Sequence, residues 1–73
     1  MAYYIVVGDR VLPSAFDGVA DAYRYVLSAA DWDPHALPDR WALVERRNGR
    51  HEVVVPVGKL MVEARRWRDQ RGG

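Results

Sequence analysis

Four basic side chains cluster around one predicted turn, and their types and spacing are well suited to binding chemistry. Two of them precede Asn48-Gly49 and two follow it; they are Arg46, Arg47, Arg50 and His51. Guanidinium groups form paired hydrogen bonds with phosphate and carboxylate groups. A two-stranded ribbon that carries such groups can enter the major groove of a nucleic acid. This pattern makes the turn a candidate interaction element.

A second arginine-rich segment runs from Arg65 to Arg68 and contains Arg66 beside Trp67. An exposed aromatic ring among arginines can stack on bases while the cations contact phosphates. Trp67 also continues an apolar stripe with Leu60 and Ala64, which is typical of a core position instead. The net charge of only +1 disfavours tight nonspecific binding of nucleic acid. Nucleic-acid binding through the turn and this segment is therefore the alternative hypothesis.

The first half of the chain is acidic and the second half is basic. Residues 1–39 carry two basic and six acidic side chains, whereas residues 40–73 carry nine basic and four acidic ones. Four aspartates of the acidic half lie on or just after a predicted helix, and we expect them to contact a basic groove of a protein partner: Asp17, Asp21, Asp31 and Asp33. A solvated helix face would give the same pattern.

Catalysis is poorly supported by the residues present. The two histidines, His35 and His51, lie in a predicted loop and at a predicted turn, and Ser14 is better explained as a helix cap than as a nucleophile. Residues 31–39 contain three aspartates and His35, but they lack the glycine and closing glutamate of a calcium loop. We therefore expect no enzymatic activity, no cofactor and no bound metal.

Length and composition predict one small domain over residues 1–73. A chain of 73 residues is near the lower limit for folding alone, and the absence of cysteine excludes disulfides. Apolar runs are too short to span a membrane, and the first residues lack an export pattern. We expect a soluble cytoplasmic protein without a membrane partner.

Turn residues and apolar periodicity divide the chain into two hairpins and two helices. They predict a hairpin over 3–12, a helix over 15–30 capped by Ser14, a loop over 31–39, a hairpin over 40–55 and a helix over 59–71. The resulting α+β order, ββαββα, predicts a four-stranded antiparallel sheet with both helices packed on one face. The order of the strands in the sheet stays open.

The Asn48-Gly49 turn sets an expected register for the second hairpin. A two-residue turn pairs 47 with 50, 46 with 51, 45 with 52, 44 with 53 and 43 with 54. Beyond Glu45 and Glu52 both faces of the hairpin become polar, so we expect the tip to project into solvent. The predicted core is Phe16, Tyr23, Val26, Leu27, Leu43, Val53, Val55, Leu60 and Met61. Glu45 and Glu52 would then face each other, an unfavourable like-charge pair unless Arg47 and Arg50 neutralise it diagonally across the hairpin.

The terminal Gly72-Gly73 resembles the diglycine of ubiquitin-like modifiers, and the order ββαββ resembles the β-grasp fold. That resemblance implies conjugation through the C-terminus, but it requires a final strand where this sequence predicts a helix. In size and style alone the chain is similar to phage accessory proteins and inhibitors of bacterial defence systems.

The principal hypothesis is therefore a small non-catalytic protein that acts by binding another protein, as an inhibitor of a nucleic-acid-processing or defence complex does. Three tryptophans and four tyrosines exceed what so small a core can cover. We expect Trp32 and either Tyr3 or Tyr4 to remain exposed and to support a homodimer.

Overall fold

The computed structural model describes residues 2–33, 35 and 37–72. The strands are β1 (Ala2–Val7), β2 (Arg10–Val11), β3 (Trp41–Arg47) and β4 (Arg50–Val55), and the helices are α1 (Val19–Trp32) and α2 (Leu60–Gly72). The four strands form one antiparallel sheet in the order β2-β1-β3-β4. The predicted α+β architecture and the order ββαββα are confirmed.

Both hairpin turns rely on residues that accept positive φ. Gly8 has φ 66°, and Asn48 and Gly49 have φ 52° and 78°. Positive φ at both central residues defines the type I′ turn, whose twist matches that of the flanking strands. The Asn48-Gly49 turn is therefore confirmed, and it fixes the direction in which the tip of the second hairpin projects.

Helix α1 begins four residues later than the sequence predicts. Gly18, not Ser14, is its N-cap, and no side chain in the described part of the chain caps it. The cause lies in Phe16, whose backbone N–H and C=O both bond to Tyr3 of β1 at 2.9 Å. These two hydrogen bonds hold the preceding segment extended along the sheet, so the Ser14 cap and the start at residue 15 are wrong. At its other end α1 continues to Trp32.

The core lies between the two helices and one face of the sheet. Its buried members come from both helices and from three strands: Ile5, Ala22, Val26, Trp41, Leu43, Val55, Leu60, Met61 and Ala64. Phe16, Tyr23 and Leu27, predicted as core, are half-buried and pack against this cluster. Helices α1 and α2 contact each other and the same face of the sheet, as predicted.

A β-bulge shifts the register of the second hairpin. The pairs 47–50, 46–51, 45–52 and 44–53 are as predicted, but Leu43 lies opposite Val55. Val54 is the additional residue, so the predicted pairing of 43 with 54 is wrong. The bulge places Val55 in the core and leaves Val53, whose side chain is 64% exposed, on the other face. The prediction of Val53 as a core residue is therefore also wrong.

The short connection before β3 is a 3₁₀ turn, Pro38–Arg40, entered through Leu37 in the left-handed region at φ 52°. Pro34 and Ala36, in the middle of the predicted loop 31–39, lie outside the described residues, as do Met1 and Gly73. Among the helices that the structure describes, none is long and apolar enough to cross a membrane.

Candidate functional site

An apolar groove separates α1 from the β1–β2 edge of the sheet. Its volume is about 550 Å³. Its walls are formed by side chains from α1, from the first hairpin and from the start of β3: Val7, Arg10, Leu12, Tyr25, Ser28, Ala29, Trp32, Asp33 and Trp41. The sequence predicts that Trp32 and Asp33 lie at the surface, but it does not predict the groove.

Trp32 stands at the rim of this groove, in the last turn of α1. Trp32 is 87% exposed, which confirms the expectation that it is left uncovered. Tyr3 and Tyr4 are both half-buried, so the expectation that one of them is exposed is wrong. Asp31 and Asp33 flank it and are exposed as well. The Asp33 carboxylate accepts a hydrogen bond from the backbone N–H of His35 at 2.9 Å. An exposed indole at the rim of an apolar groove is typical of a residue that anchors a protein partner.

Tyr25 and Trp41 line the groove, and a third aromatic ring, Phe16, packs against Tyr25. Tyr25 and Trp41 stack with their ring centres 6.2 Å apart, and Phe16 lies 5.4 Å from the Tyr25 ring. Trp41 is only 5% exposed, and its indole Nε1–H is buried without an acceptor among the described residues. A buried donor without a partner costs stability.

The groove carries charges of both signs on opposite walls. Arg10 lies on the sheet wall and Asp33 on the helix wall. Within the described part of the chain, Arg10 has no carboxylate within 4.0 Å. Its guanidinium is therefore available to an acidic group that approaches along β2.

The four predicted aspartates do not form one surface. Asp17 precedes α1 and Asp21 lies in its first turn, whereas Asp31 and Asp33 lie at its other end, roughly 20 Å away at 1.5 Å per helical residue. Asp21 forms an ion pair of 3.0 Å with Arg24. The pair that adjoins an apolar surface is therefore Asp31 and Asp33.

The hairpin tip projects into solvent on both faces, as predicted, because Arg46, Arg47, Arg50 and His51 are all exposed. The pleat separates them. Arg46 lies opposite His51 on the face without helices, and Arg47 lies opposite Arg50 on the helix-bearing face. Arg47 forms an ion pair of 2.8 Å with Glu45, which is buried. Arg47 thus neutralises Glu45 along the same strand, and not diagonally across the hairpin as the sequence suggested.

Glu45 also acts on Tyr3, which lies directly opposite it on β1. Hydrogen bonding to the Glu45 carboxylate raises the pKa of the Tyr3 phenol, and desolvation and the negative charge of Glu45 act in the same direction. The Arg47 charge opposes this increase in pKa. The three side chains form a small polar cluster at the margin of the core.

Helix α2 holds its aromatic residue against α1 instead of presenting it for stacking. The Trp67 ring lies 5.9 Å from the Tyr23 ring, and the guanidinium groups of Arg24 and Arg71 lie 5.6 Å and 5.1 Å from its centre. Arg66 forms an ion pair of 3.1 Å with Glu63. These contacts leave Trp67 half-buried and engage part of the predicted basic surface.

The face of the sheet that the helices leave uncovered is largely apolar. Its accessible members are Tyr4, Val6, Val11 and Val53, whereas Ala42 and Val44, on the same face of β3, are buried by their neighbours. At one end Tyr4 meets His51 edge-to-face, with ring centres 5.7 Å apart. This second surface adjoins Arg46 and His51 of the hairpin tip.

A metal centre finds no support in the described part of the chain, where no group of three or more His, Asp or Glu side chains could hold an ion.

Comparison of the chain with family models, with curated proteins and with solved structures gives no match in any of the three.

Proposed function

We propose that this protein is a small non-catalytic binding domain that recognises another protein through the groove between α1 and β1–β2, with Trp32 as its anchor. The observation that carries the proposal is the 87% exposure of Trp32 at the rim of an apolar groove of about 550 Å³. Tryptophan is enriched among residues whose truncation costs a protein complex most of its affinity.

The charges around Trp32 indicate which partner surface would fit. Asp31 and Asp33 flank the indole, so basic side chains of a partner would meet carboxylates on the helix wall. An acidic rim of this kind suits competition for a basic groove, including one that ordinarily holds nucleic acid. The proposed role is therefore that of an inhibitory accessory protein. The cytoplasmic location expected from the sequence is part of the proposal as well. Complementary charges act mainly on the association rate and lose strength as salt increases.

The test measures how much partner protein is captured from lysates of the source cells by the parent chain and by alanine variants of two exposed apolar residues. Trp32→Ala should weaken capture at least tenfold, whereas Val57→Ala, at a position that is 61% exposed and outside the groove, should leave it unchanged. Both variants should keep the melting temperature of the parent, because neither side chain is part of the core. Equal capture by the parent and by Trp32→Ala would disprove the proposal.

Charge and nuclease treatment supply two further outcomes. Asp31→Lys should slow association, and the effect should fade between low and high salt. Capture should survive nuclease treatment. Capture that depends on nucleic acid and is insensitive to Trp32→Ala would favour the alternative function instead.

That alternative is nucleic-acid binding on the uncovered face of the sheet. It is favoured by the cross-strand pair Arg46 and His51 beside Tyr4, because a sheet face that combines aromatic and basic side chains suits stacked, single-stranded bases. Its distinguishing variant is Tyr4→Ala, which would reduce binding of a single-stranded oligonucleotide without affecting Trp32-dependent capture. The diglycine resemblance has less support, because Gly72 belongs to α2 and not to a strand.

A further inference from the structure

The outer edge of β2 lies beside the groove and offers backbone groups for pairing. The N–H of Leu12 donates to the carbonyl of Ile5 at 2.8 Å, so Leu12 points its backbone groups towards β1. Alternate residues of an antiparallel strand point them in opposite directions. The N–H and C=O of Val11 therefore point away from β1, at the edge of the sheet.

The side chains on either side of Val11 point into the groove. Val11 pairs with Val6 on the uncovered face, whereas Arg10 and Leu12 lie on the helix-bearing face and line the groove. An added strand that paired with Val11 would obey the same alternation. Its residue opposite Val11 would face away from the helices, and the two neighbours of that residue would point into the groove.

We infer that the groove receives an extended peptide segment of the partner, which joins the sheet as an additional antiparallel strand along β2. This inference rests on the proposed function and specifies how its site is occupied. One peptide residue exchanges two backbone hydrogen bonds with Val11. The preceding residue inserts an apolar side chain opposite Leu12, and the following residue places a carboxylate opposite Arg10.

Three features of the groove select this occupant. The walls are mainly apolar and include Tyr25 and Trp41, which suits an aliphatic or aromatic anchor. Arg10 has no carboxylate within 4.0 Å among the described residues, and an opposite charge directly across from it is stabilising. The edge is also short, because Pro13 cannot donate to a further ladder bond. Recognition by strand addition therefore centres on a sequence pattern of three residues, apolar–any–acidic.

The first experiment uses a displayed library of random seven-residue peptides selected on the full chain. The expected result is enrichment of the pattern apolar–any–acidic. A synthetic peptide with the consensus sequence is then used to measure the dissociation constant. Selection without that pattern would overturn the inference.

The second experiment tests the backbone pairing. Methylation of the amide nitrogen of the central peptide residue removes the donor to the Val11 carbonyl and should weaken binding at least tenfold. Methylation of the amide nitrogen of the acidic residue, whose N–H points away from β2, is the matched control and should have little effect. These peptides leave the protein intact, so the result does not depend on a variant folding. Equal affinity of the two methylated peptides would contradict strand addition.

Protein variants test the same geometry from the other side. Val11→Pro removes the backbone N–H that would donate to the peptide carbonyl, so it should weaken binding. Val11→Ala keeps that N–H and should leave the affinity for the peptide unchanged. Arg10→Glu should weaken binding of the acidic peptide about tenfold, and a peptide with lysine in place of the acidic residue should restore it. Asp33→Asn, on the facing wall, should tighten binding of the acidic peptide.

The outcomes separate this inference from the proposed function. Trp32-dependent capture of a protein, with no enrichment of the three-residue pattern, would leave the proposed function standing and overturn strand addition. Enrichment of the pattern and the methylation effect, with capture indifferent to Trp32→Ala, would support strand addition and overturn the anchoring role of Trp32.

Discussion

Glu45 and Arg47 lie two residues apart on β3 and form an ion pair of 2.8 Å on the helix-bearing face. The carboxylate is buried, whereas about half of the Arg47 side chain is exposed. Glu52 lies directly opposite Glu45 on β4, so the arginine offsets a repulsion between two carboxylates. Arg47 thus contributes to the stability of the fold as well as to the surface of the hairpin tip.

The first prediction concerns this pair. Arg47→Ala should lower the free energy of unfolding by about 1–2 kcal/mol, because it leaves a buried carboxylate without its cation. Arg50→Ala, across the hairpin on the same face, should change it by less than about 0.5 kcal/mol. Urea denaturation of both variants measures the difference.

The same Arg47→Ala change in a chain that lacks the Glu45 charge tests whether this charge causes the loss of stability. In a Glu45→Gln chain, Arg47→Ala should cost much less than in the parent, because the charge that it neutralises is absent. An equal cost in both backgrounds would show that Arg47 acts through packing alone. A functional test of the tip should therefore change Arg46 and Arg50 and keep Arg47.

The second prediction concerns the bulge in β4. Val55→Ala should lower the free energy of unfolding by about 2 kcal/mol, because it removes buried methyl groups from the core. Val53→Ala and Val54→Ala should each cost less than about 0.5 kcal/mol, because these side chains are exposed. Thermal or urea unfolding of the three variants decides the register. A large cost at Val54 and a small one at Val55 would mean that residue 43 pairs with 54.

Sequence reasoning succeeded where one local signal determines the structure. The Asn48-Gly49 turn predicts its own geometry, and apolar periodicity predicts both helices and the α+β architecture. It failed where a distant contact overrides the local signal. Ser14 has the spacing of a cap, but Phe16 is drawn to Tyr3 on β1, thirteen residues away in sequence. The bulge at Val54 likewise has no local signature in a run of three valines.

The candidate site was predictable only in part, for the same reason. Trp32 was expected to be exposed because it follows the last apolar position of the first helix. The groove beside Trp32 depends on how α1 crosses the sheet. Its walls bring together Arg10, Tyr25 and Trp41 from three separate elements. Charge patterning indicated the hairpin tip, but the pleat that separates Arg46 from Arg47 follows from strand register.

The third prediction is that the isolated chain self-associates through the Trp32 surface. Without a partner, the exposed indole and the groove beside it leave apolar area that a second copy can cover. Sedimentation equilibrium at high micromolar concentration should give a mass above that of one chain. Trp32→Ala should restore the monomeric mass. Dimerisation that is abolished by Val53→Ser and unaffected by Trp32→Ala would assign the contact to the uncovered face of the sheet.

The last prediction concerns stability at alkaline pH. The ordinary pKa of a tyrosine phenol is 10.0, and hydrogen bonding to Glu45 raises the pKa of Tyr3 in the folded chain. Folding therefore favours the protonated phenol. That contribution is fully present below pH 10.0 and is lost as the pH rises through the pKa of the folded state. The free energy of unfolding should consequently fall above about pH 10.

Tyr3→Phe removes this titrating group, so the variant should show a shallower fall in the free energy of unfolding across the same pH range. Tyr4→Phe, on the opposite face of β1, keeps the phenol that faces Glu45 and should keep the steeper fall. Urea unfolding from pH 8 to beyond pH 10 measures both. Tyr23, whose pKa is raised by burial and by Glu63, contributes in the same direction, so some dependence should remain in Tyr3→Phe. A parent and a Tyr3→Phe variant with identical slopes would show that the Glu45 carboxylate does not engage the phenol in solution.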